Sequence, residues 1–530
     1  MTAPRRPKPP CHPKLFSAQS AQALDKEASS AWGLNPFALV EAAGRNCALR
    51  FVRAFPGLFS AGVPRIAVAA GSGNNGADAM VMLRALILGG HASPETSTVV
   101  VKDLAQGAPA DPRSEALRSL KALGVPLLLW EEELISVGTV REGGWRDGFT
   151  RSDIIIDGIV GTGLKGPLQG AAAEIVHALN GIEGAFIAAI DVPSGNFDSW
   201  KPGMPIIRAR ATLAVEPVKR CLYSPAARIF GGTIVPVGEI FPPALINSFE
   251  GPELITWQEV QGRIPRIPPD AYKHQRGVLE IRAGSPGFSG APRIAARGAQ
   301  AAGAGLVRLV VDGALYPILA ASAGGVMVVS GDEAGSGPDR FRPGAILLGP
   351  GWGRGADRRP VLERALEEEA RGTPLVLDAD AISLAKDRTF HGNAILTPHP
   401  GEFAAYTGVP KEETLAHPES LLTQTAREKG AVILYKGHVL FIAAGDGRLG
   451  VVDGMQPVLA AGGSGDLLAG ICAALAARLR AAGGFDGYTC AVTAAALLLE
   501  ACRAEDTARV FRDPLELADR VAAIAGAAWL

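Results

Sequence analysis

The 530-residue chain has no surplus of either charge: 52 Lys and Arg face 53 Asp and Glu, a formal net charge of −1. Without basic surface, nothing supports a general nucleic-acid binder or a binder of anionic membranes. Cysteine is scarce too. Cys11, Cys47, Cys221, Cys472, Cys490 and Cys502 form no CxxC pair and no zinc-finger spacing with histidine. Their density is far below that of a disulfide scaffold, so reduced and mostly buried thiols are expected. The basic, proline-rich start MTAPRRPKPPCHPK is followed by no apolar segment, which argues against a secretory signal and for a flexible leader over 1–14. The longest uncharged stretch, Gly313 to Gly331, is broken by Pro317, Gly324 and Gly325, so no membrane span is expected. The cytoplasm is the default location.

Apolar residues make up 48% of the chain, enough to fill more than one core. At roughly 100–200 residues per domain the length suggests about three domains, or two large ones. The 65 glycines and 39 prolines, spread along apolar runs without a short repeat, fit many tight strand-to-helix turns.

Helical spacing runs from Ser17 to Arg53, divided by Gly33-Leu34-Asn35-Pro36. Strand-like and helical segments then alternate: strands near 65–70, 97–101, 154–156, 185–190, 212–216 and 232–237, helices at 77–88, 112–123 and 171–179. Residues 241–270 hold six prolines and no long periodic segment, and are expected to be a connection. The alternation restarts at Val278 and ends in Ala-rich helices beyond Leu467. The expected fold is α/β in two domains with parallel sheets, a Rossmann-like three-layer α/β/α domain over 15–240 and a second α/β domain over 271–530.

Three strand ends in the first half carry chemistry. Gly71-Ser-Gly-Asn-Asn-Gly-Ala-Asp78 follows a strand and opens a helix, where backbone N–H groups and the helix dipole suit an anion. Its GxGxxG spacing is a weak signal, and Asp103 lies too far along to serve as the ribose acid of an NAD fingerprint. The amides of Asn74 and Asn75 could ligate a hard cation, or simply turn the chain. The second strand end places Asp157 ahead of Gly161-Thr-Gly-Leu-Lys-Gly-Pro167, and the third runs into Asp191-Val-Pro-Ser-Gly195. In an open parallel sheet such ends form one crevice.

The second half has a sharper signal. Gly462-Gly463-Ser464-Gly465-Asp466 delivers an acid to the start of an apolar helix. The N–H groups of Gly463 to Gly465 could hold a transferring phosphoryl group, and Asp466 could take the proton of an attacking hydroxyl. The segment is not a Walker A loop. His399 lies in Thr397-Pro-His-Pro-Gly-Glu-Phe403, where it could cap a helix or meet a ligand.

The first half resembles the NAD(P)HX epimerase domain of the bifunctional NAD(P)H-hydrate repair enzymes, through GxGNNGxD, D-x-x-x-GTGLxG-P and DxPSG, with Asp25 and Leu39 to Gly44 before them. The second half resembles the ADP/ATP-dependent NAD(P)HX dehydratase of the ribokinase-like superfamily. The matching segments include Lys273-His274 with Gly277, Gly290-Ala-Pro292, Ala302 to Leu309, Gly349 to Gly353, Leu377 to Ile382, the 397–403 segment, Lys436-Gly437 and the glycine-rich turn before Asp466.

The epimerase resemblance implies that Asn74, Asn75, Gly76, Ala77 and Asp78, with Gly161, Thr162, Gly163, Leu164, Lys165, Gly166 and Pro167, hold the hydrated dinucleotide. It makes Asp191 the acid/base, and Asn75, Asp157 and Ser194 the ligands of a potassium ion. The dehydratase resemblance implies Asp466 as base, with Ala291, Gly351, His399 and Asp466 facing the hydrated dinucleotide. Lys436, Gly437, His438, Val439, Leu440 and Gly465 would line the nucleotide site, with Mg2+ accompanying ADP or ATP. A homo-oligomer acting on NADHX and NADPHX, with no nucleic-acid or membrane partner, is the implied whole.

The chain departs from the family's usual NNGGDG at Ala77 and Ala79, each adding a methyl where backbone should approach the ligand. That departure leaves a non-catalytic first half as an alternative. A ribokinase-like small-molecule kinase and a plain dehydrogenase are the others; the first would not explain TPHPGEF, and the second needs no ADP.

Overall fold

A computed structural model of the chain describes residues 13–103, 111–130, 145–331, 342–416, 418–503 and 513–530. It divides into two compact units at Gly251–Pro252. The leader lies outside the described residues up to position 12; Lys14 donates to the carbonyls of Asn247 and Phe249.

The N-terminal unit is built on seven strands: β1 (Ile66–Ala70), β2 (Ser97–Val101), β3 (Leu127–Leu129), β4 (Ile154–Gly158), β5 (Phe186–Ile190), β6 (Ala211–Val215) and β7 (Thr233–Val237). They pair in the order β3-β2-β1-β4-β5-β6-β7, all parallel. β1 and β4 are wholly buried, as expected of a sheet covered on both faces. Helices Ala18–Ser30 and Pro36–Ala54 are separated at the predicted break. Asn35 caps the second, its side chain accepting from the Phe37 N–H at 2.9 Å, and Pro36 sits at the first helical position. The chain order reverses between β1 and β4, which opens a crevice beyond their carboxyl ends.

The C-terminal unit has ten strands: β8 (Glu253–Leu254), β9 (Val278–Arg282), β10 (Leu306–Val311), β11 (Met327–Ser330), β12 (Ala345–Leu348), β13 (Leu375–Leu377), β14 (Ala394–Leu396), β15 (Ala431–Tyr435), β16 (Val439–Ala443) and β17 (Leu449–Asp453). Their order is β11-β10-β9-β12-β13-β14-β15-β16-β17-β8. Pairing is parallel from β11 to β15, and antiparallel at β15–β16 and β16–β17. The switch lies between β9 and β12.

Helix Ser464–Ala481 is buried along almost its whole length. It crosses helix Gly290–Ala301 closely enough that a Cβ on Gly470 would fall 2.0 Å from the Ala295 carbonyl oxygen, and one on Gly298 2.5 Å from that of Leu467. Two glycines thus permit backbone-to-backbone packing that no larger residue allows.

The 241–270 stretch, expected as a connection, is structured. Helix Pro243–Asn247 belongs to the first unit, and β8 and helix Trp257–Val260 belong to the second. Thr256 and Glu259 form a capping box there, a start signal that proline content obscured. All five described cysteines are free and buried. Among the described residues no helix is long and apolar enough to cross a membrane.

Candidate active sites

In the N-terminal unit the three sequence segments meet at the ends of β1, β4 and β5. Gly71 and Gly76 are required by closeness: a Cβ on Gly71 would lie 1.8 Å from the Ile159 carbonyl oxygen, and one on Gly76 2.3 Å from that of Gly71. Asn74 and Asn75 open helix Asn74–Leu88. The Asn75 amide is buried with neither its oxygen nor its nitrogen hydrogen-bonded, a costly state unless something else binds there. A Cβ on Gly161 would lie 3.2 Å from Asn75 Oδ1 and 3.1 Å from Asp191 Oδ2, so both side chains converge on the start of the 161–167 loop. Residues 162–167 continue from there as a partly exposed loop.

Asp157 is completely buried and already occupied. Its Oδ1 accepts from Ser194 Oγ at 2.6 Å and the Ile159 N–H at 3.2 Å, and Oδ2 accepts from the Ser194 N–H at 2.8 Å. Burial still pushes its carboxyl up to about 6, against those hydrogen bonds. One of its four acceptor positions remains. That position and the unpartnered Asn75 oxygen are hard oxygen donors, the type an alkali cation takes.

The structure also gathers residues that the motifs do not contain. Asp191 Oδ1 forms an ion pair with Lys219 Nζ at 2.6 Å, both side chains buried. Asp25 and Asp78 lie near enough to feel both charges. Burial raises each, Asp78 well above the ordinary range, and the Asp191 charge adds to the rise. Lys219 follows Glu216-Pro-Val in a segment without a Gly-rich signature, so only the fold reveals it.

Ala77 and Ala79 correct an expectation. Both are fully buried in the hydrophobic core of the unit, and the Ala79 methyl points at Gly158 beneath the sheet end, 2.5 Å from where a Cβ would sit. Neither methyl is exposed at the strand ends. Asp103 braces the glycine loop. It pairs at 2.9 Å with buried Arg113, whose Nε donates to the Gly71 carbonyl at 3.1 Å.

In the C-terminal unit the candidates lie beyond the ends of β9 and β12 to β15 and at the start of helix Ser464–Ala481. Gly463, at φ 94°, is its N-cap. The Ser464 N–H goes to the Ala461 carbonyl at 3.3 Å and its hydroxyl to that of Leu459 at 2.9 Å. Of the Gly463 to Gly465 N–H groups only that of Ser464 is engaged; those of Gly463 and Gly465, and that of Asp466 beside them, have no acceptor among the described residues. A Cβ on Gly465 would lie 3.3 Å from Lys436 Nζ, which places the ammonium beside those donors.

Lys436 Nζ is 2.7 Å from Asp378 Oδ1, an oxygen that also accepts from Thr397 Oγ1 at 2.7 Å. Burial alone would lower the Lys436 ammonium, but Asp378, Glu402 and Asp466 outweigh it and raise it. Asp466 is pushed up to about 6 by burial first and the Asp378 charge second, against the pull of Lys436. It is a carboxylate poised to take a proton near neutral pH.

Gly351, at φ 58°, packs against Ala291: an added Cβ would lie 3.0 Å from the Ala291 methyl. His399 caps helix Pro400–Thr407, its Nδ1 accepting from the Gly401 and Glu402 N–H groups at 3.0 and 3.2 Å. The neutral ring therefore carries its proton on Nε2, and the side chain remains 56% exposed. Capping and ligand contact are thus compatible. Val439 and Leu440 lie within β16 with buried side chains, which leaves only their backbone to meet a nucleotide. Gly437 and His438 form the turn before them.

Two doubly wound units, each with glycine-rich loops and buried carboxylates at its strand ends, define a two-site α/β enzyme. The family described as YjeF-related protein N-terminus matches residues 36–221, and that described as NAD(P)H-hydrate dehydratase matches 279–520. The bifunctional NAD(P)H-hydrate repair enzyme Nnr of Salinibacter ruber is 31% identical over 88% of this chain and 88% of its own. That of Moorella thermoacetica is 30% identical over the same shares. A solved ADP/ATP-dependent NAD(P)H-hydrate dehydratase from Bacillus subtilis, co-crystallised with ATP/Mg2+, is 25% identical with a TM-score of 0.45, covering 52% of this chain and 97% of that one. The chain belongs to the bifunctional NAD(P)H-hydrate repair enzyme family.

Proposed function

We propose that the protein repairs hydrated nicotinamide dinucleotides in two steps, epimerising R- and S-NAD(P)HX in the first unit and dehydrating the S form in the second. The observation that carries the second step is Asp466, raised to about 6 beside two free backbone N–H groups and the Lys436 ammonium. The ring hydroxyl loses its proton to Asp466 as its oxygen attacks the terminal phosphorus of ADP, releasing AMP. The Gly465 and Asp466 N–H groups and Lys436 meet the negative charge on the transferring phosphoryl group. Phosphate then leaves with the C–O bonding electrons, ring nitrogen pushes in behind it, and loss of the adjacent proton restores NAD(P)H. ATP can replace ADP.

In this reading Mg2+ arrives with the nucleotide, because it is usually bound through one or two carboxylates and the substrate phosphates; Asp378 and Glu402 are the nearby acids. It neutralises phosphate charge. In the first unit Asp191 moves the proton for epimerisation, the 74–78 and 161–167 segments hold the dinucleotide, and Asn75, Asp157 and Ser194 hold a potassium ion that anchors the loops. The protein acts as a homo-oligomer, which light scattering during gel filtration tests directly.

The deciding experiment follows reduced-nicotinamide absorbance when mixed-epimer NADHX is supplied with ADP, with ATP and with neither. Full nucleotide-dependent recovery is expected. No recovery with either nucleotide would overturn the reading in favour of a small-molecule kinase.

His399 offers a separate check, because capping and ligand contact divide by substitution. His399→Asn keeps an N-cap and is expected to hold the unfolding midpoint near that of the parent, whereas His399→Ala loses about 0.5–2 kcal/mol. Both variants raise the KM for NADHX if the ring meets the dinucleotide. An unchanged KM in both would leave His399 as a cap alone.

A further inference from the structure

Asp191 is held from several directions. Lys219 Nζ forms its ion pair with Asp191 Oδ1 at 2.6 Å and donates its hydrogen bond to the Val215 carbonyl at 3.0 Å, so the ammonium sits between the two. The Lys219 backbone is bracketed by Phe16: the Phe16 N–H donates to the Val218 carbonyl at 2.8 Å, and the Arg220 N–H to the Phe16 carbonyl at 2.9 Å. Phe16 is itself fully buried, with its ring 5.7 Å from that of Phe249. Asp191 has φ 67°, a region few non-glycine residues occupy, and its N–H donates to the Leu213 carbonyl at 2.8 Å.

This leaves the two carboxylate oxygens unequal. Oδ1 is committed to Lys219, while Oδ2 faces Gly161 and the loop that follows, on the side where the Asn75 amide converges. The other ionisable groups that feel Asp191 and Lys219 are Asp25, Asp78 and the Cys47 and Cys221 thiols, from four other elements. Lys219 is the cation shared by all of them. We infer that Lys219 is the positioning residue of the epimerase site, clamping Asp191 Oδ1 so that Oδ2 alone meets the hydrated ring. The inference rests on Asp191 being the acid/base of that site.

The test uses the full chain with mixed-epimer NADHX and ADP, reading epimerase kcat and KM from the slow phase that follows consumption of the S form. Lys219→Met and Lys219→Gln are expected to lower that kcat at least about 100-fold with KM within about threefold, the pattern of an interaction that acts in the transition state. Lys219→Arg, which restores a cation, regains at least about a tenth of the parent rate. The fast dehydratase phase is unchanged in all three. The inference is overturned if Met or Gln stays within tenfold of the parent, if the loss falls in KM, or if Arg does no better than Gln. Asp191→Asn is run beside them: a parent-like rate there would sink the assignment of Asp191 itself, whatever Lys219 does.

Discussion

Asp466→Asn is expected to cut nucleotide-dependent recovery of NADH by about 10²–10⁴-fold, the usual contribution of a positioned base, while R–S interconversion continues in the other unit. Asparagine keeps the volume and the helix start but cannot accept the hydroxyl proton. The parent enzyme has a matching pH profile. Because burial holds Asp466 at about 6, the ionised base is lost as pH falls through that value, and kcat/KM for dehydration falls about tenfold per unit below it. A profile flat down to pH 5 would exclude Asp466 as the base.

The same shift makes a stability prediction of opposite sense. The folded-state value lies above the ordinary 3.8, so between the two the folded protein binds more protons than the unfolded chain. Stability from this group is therefore greatest at low pH, declines as pH rises from about 4 to about 6, and stays lowered above. Asp466→Asn removes the buried charge, so its unfolding temperature should exceed that of the parent at pH 8 and approach it at pH 4. A gain in stability coupled to loss of activity is the mark of a functional rather than a structural carboxylate.

Asp191→Asn is the second large effect. Recovery of NADH from a mixed preparation should proceed normally through the S form and then stop at that form's share, apart from spontaneous epimerisation. The loss should again fall in kcat by about 10²–10⁴-fold. The dehydratase is intact in this variant, so addition of the parent protein should complete the reaction. Completion without that addition would show that the proton is moved by another group, with Asp78, buried and bearing an unpartnered oxygen, the next candidate.

Much of the fold and of both sites was legible in the chain because the motifs are local. A glycine that lets backbone approach backbone, followed by a helix start, must be contiguous, so Gly71 to Asp78 and Gly462 to Asp466 carry their geometry in their spacing. Strand-helix alternation likewise announces a parallel sheet. Other elements had no such signal. β16 and β17 form an antiparallel addition after Lys436-Gly437-His438, a turn whose residues also suit a ligand loop. β3 has only three half-buried leucines.

The two α/β units and the glycine-rich strand ends, with Asp191 and Asp466 placed at them, can be read from the chain alone, because each depends on residues close together along it. Only the packed molecule reveals that Ala77 and Ala79 point into the core, that Asp103 braces Gly71 through Arg113, and that Lys219 pairs with Asp191. These depend on which way a side chain leaves its helix or strand, and on contacts between residues far apart in the chain, 42 positions in the case of the Arg113–Gly71 hydrogen bond. Periodicity fixes a face, but only packing fixes what that face meets.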